Sequence, residues 1–198
     1  MKFLKFSLLF ITMIFMTMGC FSNSKTVVSK NGSDKISAQS VAVLPIESQE
    51  PESKAANLLR LKLFDEIYFK GYSKISLEEM DAKLASLPED AKTDGKGAIS
   101  PVALKEATGA DAGMYCSLTE NYKTGLFYSP VKITVICELR STDNGSILWN
   151  AQSESTRRYF DLTDKRLKRK LSDGFELLIN DVVSKIIKKL PDGPMLSS

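Results

Sequence analysis

Histidine is absent from the 198-residue sequence. Because histidine is the commonest general base near neutral pH and the commonest transition-metal ligand, its absence excludes the usual histidine-dependent catalytic and metal sites. A nucleophile elbow, a glycine-rich phosphate loop and a paired CxxC motif are absent too. We therefore expect no catalytic residues, no metal ligands and no cofactor. The alternative is a hydrolase whose scattered carboxylates converge in the fold as acid and base.

The sequence also has little net charge. The 27 lysines and arginines exceed the 24 acidic residues by three, and the first 19 residues hold two of the lysines and no acid. The chain from Cys20 onward therefore carries a formal charge of only +1. Such a chain lacks the field that drives nucleic-acid binding, so we expect no nucleic-acid partner. The basic run at residues 157–170 is either the solvated face of a helix or a contact for anionic lipid or cell-wall polymer.

The sequence lacks an apolar run long enough to span a membrane. Its first apolar stretch covers only residues 6–20, whereas a spanning helix needs ~20 apolar residues. Lys2 and Lys5 precede the apolar segment, which is the pattern of a secretory signal peptide. Gly19-Cys20 resembles a bacterial lipobox, in which the cysteine thiol receives diacylglycerol.

The lipobox pattern predicts how the protein is anchored. We expect residues 1–19 to be a lipoprotein signal peptide and Cys20 to be the lipid attachment site, so that the membrane is a partner through the N-terminal lipid. The alternative is simple cleavage that leaves a free thiol. Phe21 follows the cysteine, which by resemblance to enterobacterial sorting rules favours the outer membrane. We expect an outer-membrane lipoprotein that faces the periplasm, with display on the cell surface as the alternative.

The part that follows Cys20 predicts a tether and then a series of strands and helices. Residues 20–39 are rich in Ser, Asn and Lys without an apolar period, which indicates a flexible tether. VAVLP predicts a short buried strand and YSKIS a second one. Between them, Ser53 and Gly71 enclose an apolar stripe of helical period. Two further helices begin at Ser76 and at Ser100-Pro101.

The second half of the chain predicts a meander and a final helix. The runs DAGMYCSLTENY and VKITVICELR alternate apolar and polar residues, and Asn144-Gly145 between apolar runs indicates a hairpin. The final helix has seven apolar residues at helical spacing, namely Leu167, Leu171, Phe175, Leu178, Val182, Ile186 and Leu190. We predict a single α/β domain at residues 40–190, with a mixed sheet of about five strands in the order βαβααβββα, followed by a tail at residues 191–198.

Several of these motifs resemble those of known lipoproteins. The lipobox cysteine, VAVLP, ATGADA at residues 107–112 and NGSILW at residues 144–149 resemble a family of bacterial outer-membrane lipoproteins of unassigned function, which includes a neisserial surface lipoprotein. More distantly the chain resembles the curli-secretion lipoprotein and the lipoprotein activator of penicillin-binding proteins. The resemblance implies a fold like the N-terminal domain of TolB.

The resemblance also implies a role. We expect a non-catalytic adaptor that binds another envelope protein, such as a cell-wall synthase or a transport assembly. A surface-displayed structural lipoprotein is the alternative. The identity of the partner and the oligomeric state stay open.

Two further cysteines, Cys116 and Cys137, fall in the two alternating runs. If these runs pair as a hairpin, both side chains point at the same core. A disulfide requires a directly opposed register. Buried free cysteines are also common in cores. The sequence leaves both possibilities open.

The connection between the two runs, residues 120–131, carries an unusual number of apolar side chains for a turn. Tyr122, Leu126, Phe127 and Tyr128 are therefore candidates for a partner contact, because aromatic residues dominate interface energy. The alternative is that the strands run longer and that these side chains pack within the fold.

Overall fold

The computed structural model describes residues 36–49, 53–88, 93, 98–122, 128–160 and 164–196. Six strands and four helices occur in this part of the chain. They are β1 (Ser40–Val43), β2 (Glu47–Ser48), α1 (Lys54–Phe69), β3 (Ser73–Lys74), α2 (Leu77–Ala85), α3 (Pro101–Thr108), β4 (Ala112–Tyr122), β5 (Tyr128–Ser141), β6 (Ile147–Phe160) and α4 (Asp164–Lys189).

The strands form one mixed, open sheet. Its order is β3-β1-β4-β5-β6, and β2 pairs with β4 beyond the end of β1. The pairs of β1 with β3 and with β4 are parallel, as is that of β2 with β4, whereas β4, β5 and β6 form an antiparallel meander. The predicted α/β class, single domain and element order are confirmed. The additional strand is β2, whose two residues are too few to give an alternating pattern.

One face of the sheet is covered by α1 and α4. The first of these helices begins after Ser53, whose hydroxyl accepts a hydrogen bond from the amide of Ala56 at 3.2 Å. The helices bury their apolar stripes completely, at Leu59, Leu63 and Ile67 in α1 and at Leu178, Val182 and Ile186 in α4. This layer holds the larger of the two clusters of buried hydrophobic residues. Full burial of one such side chain contributes about 1.5–3 kcal/mol.

The other face of the sheet is only partly covered. Met80 and Leu84 from α2 and Leu104 from α3 pack against Ala42 and Leu44 in and after β1. The described helices leave the β5 and β6 part of this face open to solvent. This open area is the part of the fold that bears on function.

Arg60 ties the two helical layers together. Its Nε donates to the Val43 carbonyl at 3.1 Å, and its two terminal nitrogens donate to both oxygens of Asp81 at 2.7 and 2.6 Å. The side chain is only 12% exposed. A bidentate pair of this kind adds geometric specificity to the charge interaction. It therefore holds α1, the end of β1 and α2 in fixed positions relative to one another.

The packed region extends beyond the predicted limits of residues 40–190. Ile36 lies in the main core on the N-terminal side. On the C-terminal side, Gly193 donates its amide to the Lys70 carbonyl at 2.6 Å, and a Cβ at Gly193 would meet the Gly71 carbonyl oxygen at 2.4 Å. The Tyr72 hydroxyl donates to the carbonyl of Pro191, and burial raises the pKa of this phenol to about 12. Part of the expected tail therefore belongs to the fold.

Asp111 holds the start of β1 against the start of β4. Its Oδ2 accepts hydrogen bonds from the amides of Gln39 and Ser40 at 3.0 and 2.9 Å, and from the Ser40 hydroxyl at 2.9 Å. The bond from the Ser40 amide contributes most to holding the pKa of the Asp111 carboxyl below its ordinary value, although partial burial opposes the shift. One carboxylate therefore fixes the point where the chain joins the sheet.

We expect Asp111→Asn to lower the free energy of unfolding by about 1 kcal/mol at neutral pH, because an amide oxygen accepts these bonds more weakly than a carboxylate and solvent screens this site. The pKa of the Asp111 carboxyl is lower in the folded protein than in the unfolded chain, where it is about 3.9. The stability that this carboxylate contributes is therefore present above the unfolded pKa and is lost as the pH falls through the folded pKa. Urea unfolding of the wild type and the variant at neutral and acid pH measures the loss of stability and its dependence on pH.

The difference between wild type and Asp111→Asn should shrink below a pH of about 4. A difference that persists unchanged in acid would contradict this account of the carboxylate. Asp65→Asn is the matched control, because Asp65 is 67% exposed and lies 3.7 Å from Lys74. An exposed ion pair of this kind contributes little.

Candidate functional site

A groove of about 460 Å³ lies on the open face of the sheet. The segment between β1 and β2 forms one side, the residues before α3 form another, and the outward side chains of β4 and β5 form the floor. The lining consists of Leu44, Pro45, Ile46, Glu47, Ala98, Ile99, Tyr115, Cys116, Ser117, Ile136, Glu138 and Arg140. This volume falls in the range of ligand-binding clefts.

Tyr115, Arg140 and Glu138 form one wall of the groove. The Tyr115 hydroxyl donates to the Ile99 carbonyl at 2.8 Å, which fixes the ring beside the residues before α3. The guanidinium carbon of Arg140 lies 4.7 Å from the centre of that ring. Arg140 also donates from Nε and Nη2 to Glu138 Oε2 at 3.0 and 2.7 Å. The wall is therefore an oriented, ion-paired set of polar groups stacked on an aromatic ring.

Gly113 lets this wall form. The glycine lies in β4 directly opposite Arg140. A Cβ at this position would lie 2.6 Å from Leu104 Cδ2 and 2.8 Å from the Tyr115 ring. The space left by the missing side chain is thus taken by α3 and by the groove wall. Met114, the next residue, is fully buried in the core on the opposite face.

Ile136 is the exposed apolar side chain in the floor of the groove, with 44% of its surface accessible. It lies in β5 opposite Ser117 of β4 and Gln152 of β6. The sequence contains a signal for this position. In VKITVICELR the inward residues are Val131, Ile133, Val135, Cys137 and Leu139. Ile136 is therefore an apolar residue in the outward series with lysine, threonine, glutamate and arginine. The groove itself depends on residues distant in sequence and was not predicted.

Two carboxylates of the sheet region have structural partners. Glu138 is held by Arg140, and Asp111 is held by Gln39 and Ser40. Across the described ranges, no cluster of three or more cysteine, aspartate or glutamate residues is placed to hold a metal ion. What the groove offers is binding chemistry: an exposed isoleucine in the floor, a stacked guanidinium and a paired carboxylate.

The free edge of the sheet, β6, is protected by side chains of α4. Lys185 Nζ donates to the Glu154 carbonyl at 3.0 Å, and Lys189 Nζ donates to the Gln152 carbonyl at 2.7 Å. The indole of Trp149 donates to the Lys189 carbonyl at 3.0 Å and packs against the core. Because unpaired edge carbonyls are the template for adding a strand, this part of β6 is closed to that mode of binding.

Cys116 and Cys137 lie directly opposite each other in β4 and β5, with their Cα atoms 4.2 Å apart. They are joined by a disulfide in the structure. Both residues are buried, at 6% and 0% exposure. The bond lies in the core below the groove floor and links the two longest central strands.

The predicted partner contact at the β4–β5 connection is only partly described. Tyr122 and Tyr128 lie in the strands, since Tyr122 pairs with Val131 and Tyr128 pairs with Phe160. The strands therefore run further toward the tip than expected, and the connection shortens to residues 123–127. Leu126 and Phe127 lie outside the described residues. A partner contact at this tip stays a prediction.

The predicted lipid attachment site, Cys20, also lies outside the described residues. Among the helices that the structure describes, none is both long and apolar enough to cross a membrane. The expected signal peptide at residues 1–19 and the tether at residues 20–39 stay predictions, although Ile36 and Ala38 of that span pack in the core.

No protein-family model matches the sequence, and no curated protein matches it. The solved structures that are similar to it include the following three. The hypothetical protein CT253 from Chlamydia trachomatis is 12% identical, with a TM-score of 0.50, covering 80% of this chain and 98% of that one. Lipoprotein GNA1162 from Neisseria meningitidis is 18% identical, with a TM-score of 0.48 and coverage of 71% and 98%. The LpoB C-terminal domain from Escherichia coli is 17% identical, with a TM-score of 0.45 and coverage of 64% and 90%.

At such identities a likeness concerns the fold alone, and the chlamydial structure supports the fold described above. Bacterial lipoproteins are among the structures similar to this chain, as the resemblance in the sequence predicts.

Proposed function

We propose that this chain is a lipid-anchored, non-catalytic accessory protein of the bacterial envelope that binds a segment of another envelope protein in the groove. The lipobox at Gly19-Cys20 and the resemblance to envelope lipoproteins support the anchoring. An outer-membrane location with the domain facing the periplasm belongs to the same proposal. The groove on the open sheet face supports the binding role.

The observation that carries this function is the position of Ile136. A large apolar side chain, 44% exposed, lies in a concave surface beside the ion pair of Glu138 and Arg140. An extended segment with an apolar side chain would cover Ile136, while its polar backbone would meet the wall formed by Tyr115, Arg140 and Glu138. Interface energy concentrates at apolar anchors that lose contact with water, with oriented polar groups around them.

We expect Ile136→Arg to abolish crosslinking of the protein to its envelope partner, because a charge in the groove floor opposes burial of an apolar side chain there. The fold should be unaffected, since Ile136 is half exposed. Leu177→Arg is the matched control: Leu177 is 50% exposed in α4, on the opposite side of the sheet. In-cell crosslinking, with melting temperature measured on the purified variants, checks the prediction.

Undiminished crosslinking in Ile136→Arg would contradict binding in the groove. The predicted contact at the β4–β5 connection gives a distinct outcome in the same assay. Loss of crosslinks in Phe127→Ala with Tyr128→Ala, together with retained crosslinks in Ile136→Arg, would move the contact to the tip. Protease access on intact cells separates the periplasmic orientation from surface display, because only a displayed domain would be cleaved.

A further inference from the structure

One end of the fold is richer in exposed apolar side chains than the rest. We name it the basal end, at which β1, β3, β4 and β6 begin and β5 finishes; it consists of residues 36–40, 68–74, 101–102, 141–147 and 191–196. In the described part of the chain, nine large hydrophobic side chains are exposed, namely Leu61, Tyr68, Phe69, Val102, Ile136, Ile147, Leu177, Met195 and Leu196. Six of them belong to the basal end.

Four of these residues, Tyr68, Phe69, Met195 and Leu196, lie near Gly71 in the sequence or in the fold. The Gly71 amide donates to the Tyr68 carbonyl at 3.0 Å, and the Gly71 carbonyl accepts from the Met195 amide at 3.2 Å. Leu196 packs directly against Gly71. Phe69 is 71% exposed and meets the Tyr68 ring edge-on at 5.8 Å between centroids. The C-terminal segment and the end of α1 thus present one apolar surface.

The remaining two apolar side chains lie at the same end. Ile147 begins β6 opposite Arg140, which pairs with Gly113 at the start of β4. Val102 is the second residue of α3, and its neighbour Pro101 contacts the turn at Gly145 that leads into β6. A concentration of exposed apolar side chains at one end of a folded domain is a feature of interaction sites.

The path of the chain identifies what this surface faces. Ile36 and Ser40 lie at the basal end, because Ser40 pairs with Ser73 and the Gln39 carbonyl accepts from the Ser73 amide at 2.9 Å. Fifteen residues separate Ile36 from Cys20, and a chain of that length spans at most ~50 Å in any conformation. In the opposite direction, β4 runs ten residues on from Ala112, about 33 Å away from this end.

Lysines flank the apolar surface. Lys74 Nζ lies 4.2 Å from the centre of the Phe64 ring and 5.7 Å from that of Tyr68. Lys70 pairs with Asp192 at 2.6 Å, and Asp65 is 3.7 Å from Lys74, so the local charge is close to balanced. Aromatic rings next to lysines suit the headgroup region of a bilayer, where the apolar parts enter and the ammonium groups stay hydrated.

We infer that the basal end docks on the bilayer that holds the lipid of Cys20, with Tyr68, Phe69, Met195 and Leu196 entering the headgroup region. This inference rests on the lipid anchor of the proposed function. Docking turns the loosely held domain into an oriented one, with the β4–β5 tip pointing away from the membrane and the groove accessible from the side.

The test places a polarity-sensitive fluorophore on the lipidated, full-length mature protein in vesicles of phosphatidylethanolamine and phosphatidylglycerol. The probe is attached at Phe69→Cys, and in a second protein at Leu196→Cys. Leu177→Cys is the matched control, because Leu177 is exposed to a similar degree and lies twelve residues before the end of α4, about 18 Å along the helix. Cys20 is lipidated and Cys116 and Cys137 are buried, so the new thiol alone is labelled.

We expect the fluorescence emission of the probes at positions 69 and 196 to shift to shorter wavelength when the protein binds to vesicles. The emission of these probes should be lost when the vesicles contain a quencher attached to the lipid. The probe at position 177 should show neither effect. A protein that floats with the vesicles and yet shows water-like emission at positions 69 and 196 would overturn the docking while leaving the anchor intact. A protein that carries no lipid and does not float would overturn the anchor, and the docking with it.

Discussion

Replacement of Cys20 by serine is expected to stop lipid attachment and to leave an unprocessed precursor that still carries residues 1–19. The thiol is the group that is alkylated in a lipobox, and a hydroxyl does not take its place. Acyl chains hold a protein to the membrane at ~0.8 kcal/mol per buried methylene, and two or more chains make the attachment stable. Loss of the thiol should therefore remove membrane attachment altogether.

Intact-protein mass and detergent partitioning measure this outcome. Ser22→Ala is the matched control, since it changes a neighbouring side chain and leaves the lipobox intact. A Cys20→Ser protein that matured to the wild-type mass and still partitioned into detergent would show that the attachment site lies elsewhere. Fractionation against inner-membrane and outer-membrane markers then tests the location that Phe21 predicts. Recovery with the inner membrane would contradict it.

Features that depend on neighbouring residues were predictable from the sequence. The helix α3 begins at Pro101 and ends at Thr108, and its capping residue Gly109 adopts the left-handed conformation with φ of 69°. The β5–β6 hairpin turns at Asn144-Gly145, and Gly145 has φ of 70°. In each case the backbone geometry favours the residue type found there, so a short stretch of sequence contains the whole signal.

Features that depend on distant pairing were not predictable in the same way. The strand β2 exists because Glu47 and Ser48 lie beside Ser117 and Leu118 of β4, some seventy residues later. The groove likewise needs the segment after β1, the residues before α3 and the open face of β5 to converge. Alternation places Ile136 on the outward face, but it does not say whether a helix covers that position. The sequence therefore predicts the strands that carry the site and leaves the site itself undetermined.

The second large effect that we expect concerns the disulfide. Cys116 and Cys137 face the core from the two central antiparallel strands and stand directly opposite each other. Export to an oxidising compartment, which a signal peptide at residues 1–19 would bring about, favours formation of this bond. In the native protein it joins strands that already pair from Ala112–Ser141 to Tyr122–Val131, so its main effect is on the unfolded chain, where it closes a loop of 21 residues.

We expect Cys116→Ala with Cys137→Ala to lower the free energy of unfolding by about 3 kcal/mol, the loop-closure value for a loop of this length. The melting temperature should fall by about 10 °C in a domain of this size. Reductant provides the control: it should destabilise the wild type to a similar extent and leave the double variant unchanged. Mass analysis of the unfolded mature protein without reductant gives an independent reading, since two alkylatable thiols would exclude the bond. Equal melting of wild type with and without reductant would likewise contradict the proposed stabilisation, because a bond that constrains the unfolded chain must show its effect when it is cut.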